Sequence, residues 1–192
     1  AAAKAALRTE LGLKDVDLPL LGVVSKIPSL PRAIAEEMLS LPLQIAGIDA
    51  GSHIEALASR SPQSAACPRP VSDYERRQLR HRIVAAADFV LMPATNVASS
   101  QLFPCRYGTA VIAPKRGEFA ERLSNFDSRT STGTGFLYQE DHELINALRQ
   151  ALSAWQHGEE TRAAMIKRCL ELDLSWETVA LRFDELVQAA RA

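Results

Sequence analysis

His81–Pro114 reads HRIVAAADFVLMPATNVASSQLFPCRYGTAVIAP and decides the fold. It parses as the end of a helix, a buried strand, a loop, a second helix and a second buried strand. Val90-Leu91-Met92 is a short apolar run stopped by Pro93, and Ala110-Val111-Ile112-Ala113 is another, stopped by Pro114. Runs that are apolar on both faces suit parallel strands covered by helices on each side. Between the strands, Ala94 to Ser100 is small and polar and leads into the helix through Ser99 and Ser100. A helix N-terminus with unpaired N–H groups favours an anion, so Ser99 and Ser100 are candidate contacts for a phosphorylated ligand. Either serine also serves as an N-cap, which needs no ligand.

Working outward, the same alternation extends in both directions. Lys4 to Leu11 reads as a helix, Leu18–Ser25 as the first strand and Ala33–Leu41 as a helix. Leu43–Ala46 is the second strand and Ser64–Cys67 a weaker third. Ser52 is expected to cap the helix between them in a capping box with Glu55, and Asp73 to cap the helix that runs to Ala87. After the central stretch come a short helix (Gly117–Leu123), a loop (Ser124–Gly135) and a sixth strand (Phe136–Tyr138). Three helices follow, opened by Asp141, Glu159 and Ser175. Trp155 and Trp176 are expected to anchor them in the core, and Tyr74 to lie half-buried.

Six strands alternating with helices predict a Rossmann-like parallel sheet flanked by helices, with a C-terminal helical tail. Right-handed crossovers and the commonest six-strand order, 3-2-1-4-5-6, make strands one and four neighbours. Their carboxyl ends carry the loops Lys26–Arg32 and Ala94–Ser100, so both loops are expected to face one crevice. No internal repeat or long linker divides the 192 residues, which reads as a single domain, 1–192.

Composition narrows the function classes. A net charge of −1, with no basic stripe interleaved with aromatics, argues against nucleic-acid binding. No apolar run approaches the roughly 20 residues of a membrane span. Three widely spaced cysteines, Cys67, Cys105 and Cys169, form neither a disulfide framework nor a zinc motif, which points weakly to the cytoplasm. The four histidines lack ligand spacing, so no metal is expected. Cys105 beside Arg106 reads as buried filler.

The chain resembles the C-terminal, donor-binding domain of the glycogen synthase/starch synthase family, GT-B glycosyltransferases. The resemblance is carried by Gly22-Val23-Val24-Ser25-Lys26, His81-Arg82-Ile83, Ala87-Asp88-Phe89-Val90-Leu91-Met92-Pro93, Gln101-Leu102, Arg106-Tyr107-Gly108-Thr109, Gly133-Thr134-Gly135-Phe136 and Ser175-Trp176-Glu177. It implies one half of a GT-B fold that binds a nucleotide sugar, ADP-glucose or UDP-glucose, and elongates an α-1,4-glucan with no further cofactor. It also implies a partner N-terminal GT-B domain, missing here, that supplies a catalytic histidine and much of the acceptor site. On that reading the chain is a fragment of a longer protein, inactive in isolation.

The departures from the family pattern fall on its chemistry. The family's serine-arginine after strand one is Ser25-Lys26 here, which keeps charge but loses the planar guanidinium fork. The family's following lysine falls on Pro31, with Arg32 as the neighbouring substitute. The loop after strand four is shortened, and the family's donor-sugar glutamate has no counterpart. The glycine that lets the backbone approach phosphate aligns with Ala98, and Ser100 stands at the family's threonine. A threonine-glycine-glycine-leucine loop becomes Arg116-Gly117-Glu118-Phe119, where Gly117 remains a donor-binding candidate and Glu118 brings a like charge towards an anionic donor. The resemblance thus implies donor contacts at Lys26, Arg32, Ser99, Ser100 and Gly117 and no catalytic residue. The alternative is a catalytically degenerate binding or scaffolding module of a glucan-metabolising protein.

Overall fold

The computed structural model describes residues 2–24, 30–92, 102–127, 129–130 and 132–190. The elements run α1 (Ala2–Leu11), β1 (Leu20–Val23), α2 (Arg32–Ser40), β2 (Gln44–Gly47), α3 (Ser52–Arg60), β3 (Ala65–Ala66) and α4 (Asp73–Ala86). They continue β4 (Phe89–Leu91), β5 (Ala110–Pro114), α5 (Gly117–Arg122), β6 (Gly135–Tyr138), α6 (Leu144–Gln156), α7 (Glu159–Leu170) and α8 (Trp176–Ala189). Short 3-10 turns occupy Phe103–Tyr107 and Asp141–Glu143.

The sheet order is β3-β2-β1-β4-β5-β6, and every pairing is parallel. The expected order and class hold. β1 and β4 pair with Leu21 opposite Phe89, Gly22 opposite Val90 and Val23 opposite Leu91. Residues of β1, β4 and β5 are buried on both faces, as a sheet sandwiched between helices requires. Gly22 lets α4 pack close against the sheet: an added Cβ would come within 3.1 Å of both Ile83 Cγ2 and Val90 Cγ2.

One buried polar knot interrupts the apolar core. Arg8 of α1 and Gln44 of β2 are both buried. Arg8 Nε donates to Gln44 Oε1 (2.8 Å) and Arg8 Nη2 to the Leu18 carbonyl (2.7 Å). Gln44 Nε2 in turn donates to the carbonyls of Lys14 (2.8 Å) and Gln63 (3.1 Å). The knot satisfies loop carbonyls that secondary structure leaves unpaired.

Several caps lie one residue from their expected places. Gly51, not Ser52, precedes α3, and no side chain caps that helix; Glu55 pairs instead with Arg69 at 2.9 Å. Ser72 rather than Asp73 caps α4, its hydroxyl accepting from Glu75 N (3.2 Å). Glu140 rather than Asp141 opens the turn into α6, in a reciprocal capping box with Glu143. In the last two cases the residue with extended backbone just outside the helix takes the cap. Ser175 caps α8 as expected.

The Ser124–Gly135 segment is more structured than a loop reading implies. Asp127 N donates to Thr132 O (2.9 Å) and Phe126 N to Gly135 O (2.8 Å). The Phe126 ring is buried, with its centroid 5.3 Å from that of Phe136.

The two tryptophans differ from their expected roles. Trp155 is half-buried, with Lys4 Nζ and Arg162 Cζ 5.6 and 4.7 Å from its ring centroid. Trp176 is 79% exposed, and with Phe183 and Leu186 it forms an apolar stripe along α8 that no described residue covers. Tyr74 is also exposed. Amphipathic spacing marks such residues as buried, but only the position of the helix decides against what.

The turn before α8 carries a titratable latch. Thr178 Oγ1 donates to Asp173 Oδ2, and Ser175 N donates to Oδ1 (3.0 Å). These bonds, that of Thr178 foremost, hold the Asp173 carboxyl down to about 2. An unfolded Asp titrates near about 3.9. The latch therefore contributes above about pH 4 and is lost as pH falls from there to about 2. An NMR titration of Asp173 is expected to place its midpoint near 2, and Thr178→Val to raise it. A midpoint unmoved by the substitution would contradict the latch.

Candidate functional site

The strand ends expected to frame a crevice between strands one and four are adjacent. β1 and β4 run side by side in register, so Val24 and Met92 leave the same, carboxyl-terminal rim. Ile48 N donates to Val23 O (2.8 Å) and Met92 N to Ile112 O (2.9 Å), so the ladder holds right up to this rim. Rigid strand ends that release loops into one gap are the usual ligand position of an open α/β sheet.

Of the five anticipated contacts, Lys26, Ser99 and Ser100 lie outside the described residues. The helix expected from Ser99 and Ser100 is therefore described only from Leu102 on. There the chain forms the Phe103–Tyr107 3-10 turn, with Pro104 in its first turn, where a missing N–H is tolerated.

Arg32 is the first residue of α2, preceded by the fixed extended geometry of Pro31. Its side chain is 65% exposed and engaged: Nε donates to Glu36 Oε1 at 2.7 Å. A ligand phosphate would have to compete with that exposed i,i+4 pair, which is weak. Gly117 opens α5 at the carboxyl end of β5, with φ +53° and no atom within 4 Å of where a Cβ would be. The adjacent Glu118 is exposed.

Structure adds residues at this rim to which the sequence reading gave no role. Lys115 and Arg116 are exposed cations at the end of β5. Arg116 is close enough to Tyr138 to oppose the burial that pushes that phenol up to about 12. Asp49, just past β2, adopts φ +54° and pairs with Arg76 of α4. In sequence these are unremarkable turn residues; only the parallel sheet gathers them on one edge.

Two of the three thiols are pushed above their ordinary range. Burial, then Glu55, pushes Cys67 up to about 11. Cys105 is fully buried and held well above its ordinary value by its contact with Cys169 and by burial. Cys105 is thus the buried filler that was expected, and the neighbouring Arg106 donates to the Leu174 carbonyl (3.2 Å). His81 Nδ1 lies 2.6 Å from the Tyr107 hydroxyl, packing α4 against the 3-10 turn. Among the described residues no cluster of His, Cys, Asp and Glu is placed to hold a metal, and no helix is long and apolar enough to cross a membrane.

No family model matches the chain. Individual relatives do. Glycogen synthase of Anaeromyxobacter sp. is 32% identical across 100% of this chain and 42% of its own length. Starch synthase 2 of Arabidopsis thaliana is 30% identical across 98% of this chain and 25% of its own length. The chain thus spans less than half of the relatives it matches. In structure, the catalytic domain of starch synthase IV from Arabidopsis thaliana, bound to ADP and acarbose, superposes with a TM-score of 0.78 at 23% identity over 98% of this chain and 42% of that one. The C-terminal domain of a group 1 glycosyl transferase from Francisella tularensis superposes with a TM-score of 0.58 at 12% identity, covering 90% of this chain and 91% of that domain. The sheet order, the shared rim of β1 and β4 and these matches along the whole of this chain agree: the chain is a homologue of the glycogen and starch synthases, and its fold is one Rossmann-like half of a GT-B glycosyltransferase.

Proposed function

We propose that the chain is the donor-binding half of a glucosyltransferase that extends an α-1,4-glucan. On this reading it is a single domain, 1–192, of a longer cytoplasmic protein whose other half completes the cleft. The observation that carries the reading is the in-register β1–β4 pair, which gives the two family loops a common rim. The relatives named glycogen synthase and starch synthase support the chemistry, and the starch synthase IV structure bound to ADP suggests which nucleotide to try first.

In this arrangement Ser99 and Ser100 offer hydroxyl and backbone donors to the diphosphate, and Lys26 and Arg32 neutralise its charge. Gly117 leaves room for the backbone to approach the donor. Retention of charge at Lys26 without the guanidinium fork predicts weak diphosphate binding. Nothing in the sequence replaces the family's donor-sugar glutamate, and the glucan acceptor would meet residues of the other half.

A second reading, a degenerate binding or scaffolding module, draws on three particular features. The glutamate has no counterpart, Arg32 is tied to Glu36 and Glu118 stands exposed beside Gly117. One pair of measurements tests both readings. Incubated with ADP-glucose and glycogen, this chain is expected to incorporate no glucose; measurable incorporation would refute the half-site reading. Calorimetric titration with ADP is expected to show binding weaker than about 100 μM. Micromolar or tighter affinity would sink the degenerate module, and no binding at millimolar ADP would sink donor binding.

A further inference from the structure

We propose that a second cleft, on the opposite rim of the sheet, holds a segment of α-glucan away from the donor crevice; the choice of glucan among polyols rests on the function proposed above. The cleft has a volume of about 370 Å³. That falls within the usual size range of small-molecule sites, about 300–1,000 Å³. Its floor is formed where the chain enters β4 and β5, at Asp88 and Thr109. These are amino-terminal strand ends, about 10–16 Å of strand from the carboxyl rim. The space exists because small residues line it: Ala86, Ala87, Ala154 and Ala163.

Beside Trp155 its polar side chains are Lys4, Asp88, Tyr107, Glu159 and Arg162, with Thr109 already donating to the Val84 carbonyl (2.9 Å). Lys4 Nζ lies 2.6 Å from Asp88 Oδ2, with side chains only 17% and 24% exposed. The same Oδ2 accepts from Leu20 N (2.7 Å), and Oδ1 accepts from no described residue. Arg162 stacks over Trp155 and gives one N–H to its carbonyl at 3.3 Å, leaving further N–H groups of its fork for a ligand.

Charge decides the ligand class. Two cations and two carboxylates leave no net charge in the cleft. An anion would meet Asp88 and Glu159, and a cation would meet Lys4 and Arg162. An apolar ligand would cover a half-buried ion pair and remove the water that still solvates it. A neutral polyol meets none of these penalties. Each hydroxyl donates to a carboxylate oxygen or accepts from a guanidinium N–H without breaking either existing pair. The alanines and the free edge of Trp155 supply apolar contact for the C–H face of a sugar ring.

Tryptophan emission reads this directly. The chain has two tryptophans, so in a Trp176→Phe background the whole signal comes from Trp155. Maltotriose is expected to change that emission saturably, with half-saturation near about 1 mM, as suits a small polar ligand in an open cleft. Glu159→Ala, at an exposed helix start, and Arg162→Lys are each expected to weaken it about fivefold or more. ADP is expected to leave the signal unchanged. Absence of a saturable change up to about 50 mM maltotriose, or a change that both variants leave intact, overturns the proposal. An equal response to sucrose or inositol overturns the assignment to α-glucan. Failure of ADP to bind in calorimetry, with the maltotriose response intact, refutes the donor-site reading and not this cleft.

Discussion

Gln44→Leu is expected to lower the stability of the fold by about 3 kcal/mol, a fall in Tm of about 6–12 °C for a domain of this size. Residue pattern alone argues the opposite. Position 44 is fully buried in a parallel strand, where leucine is the ordinary occupant. The glutamine is there because its amide spans three partners: Arg8 Nε at 2.8 Å, Lys14 O at 2.8 Å and Gln63 O at 3.1 Å. Leucine strands Arg8 Nε and the Lys14 carbonyl, while the Gln63 carbonyl keeps its bond from Lys14 N (3.1 Å). The largest share falls on Arg8, a buried cation whose only carboxylate among the described residues, Asp15, sits 3.6 Å away and is 91% exposed. Such a screened pair offsets little. Arg8→Met in the same background is expected to recover part of the loss, because removing both partners of a buried bond costs less than removing one. Urea denaturation checks both; a single-variant loss under about 1 kcal/mol would mean that water replaces the amide.

Gly133→Ala is expected to be more damaging, at about 3–5 kcal/mol, through two separate terms. The backbone at 133 has φ +107°, a region that L side chains rarely adopt. A Cβ there would lie 2.5 Å from Asn125 O and 2.6 Å from Phe126 Cα. Both obstacles are backbone, so no rotamer change relieves them. The segment that must yield carries Phe126 onto Phe136 and offers the Gly133 carbonyl to Arg168 Nε (2.8 Å). Hydrogen exchange should report the site of damage: amides of Phe126 and Gly135 are expected to lose protection before those of β1 and β4. Uniform loss across the sheet would show instead that this hairpin and the core unfold as one unit.

Why some features are legible and others are not follows from the range of the forces involved. Val90-Leu91-Met92 before Pro93, and Ala110-Val111-Ile112-Ala113 before Pro114, announce buried parallel strands because apolarity on both faces has few other solutions. Handedness of the crossovers then leaves little freedom in strand order, and β1 beside β4 follows. Caps miss by a residue because serine, aspartate and glutamate compete within one turn, and small backbone differences select among them. Trp176 misleads for a different reason. Its place on an amphipathic helix gives it an apolar face, and no described residue packs over it. The candidate site divides in the same way. Residue types at Lys26, Ser99 and Ser100 are legible from the sequence, whereas the pairing of Arg32 with Glu36 and the gathering of Lys115, Arg116 and Asp49 at one rim are not.

The order of hydrophobic runs and their breakers therefore determined, without coordinates, the class of sheet and, with the usual crossover rule, its strand order. Tertiary structure alone decided which side chains answer one another across that order: Arg8 with Gln44 over 36 positions, Lys4 with Asp88 over 84, and an amino-rim cleft left open by alanines. Burial and strand pairing act through local pattern, which the sequence displays. Hydrogen bonds and charge pairs act at a few ångströms between residues far apart in the chain, and only the folded backbone sets those distances.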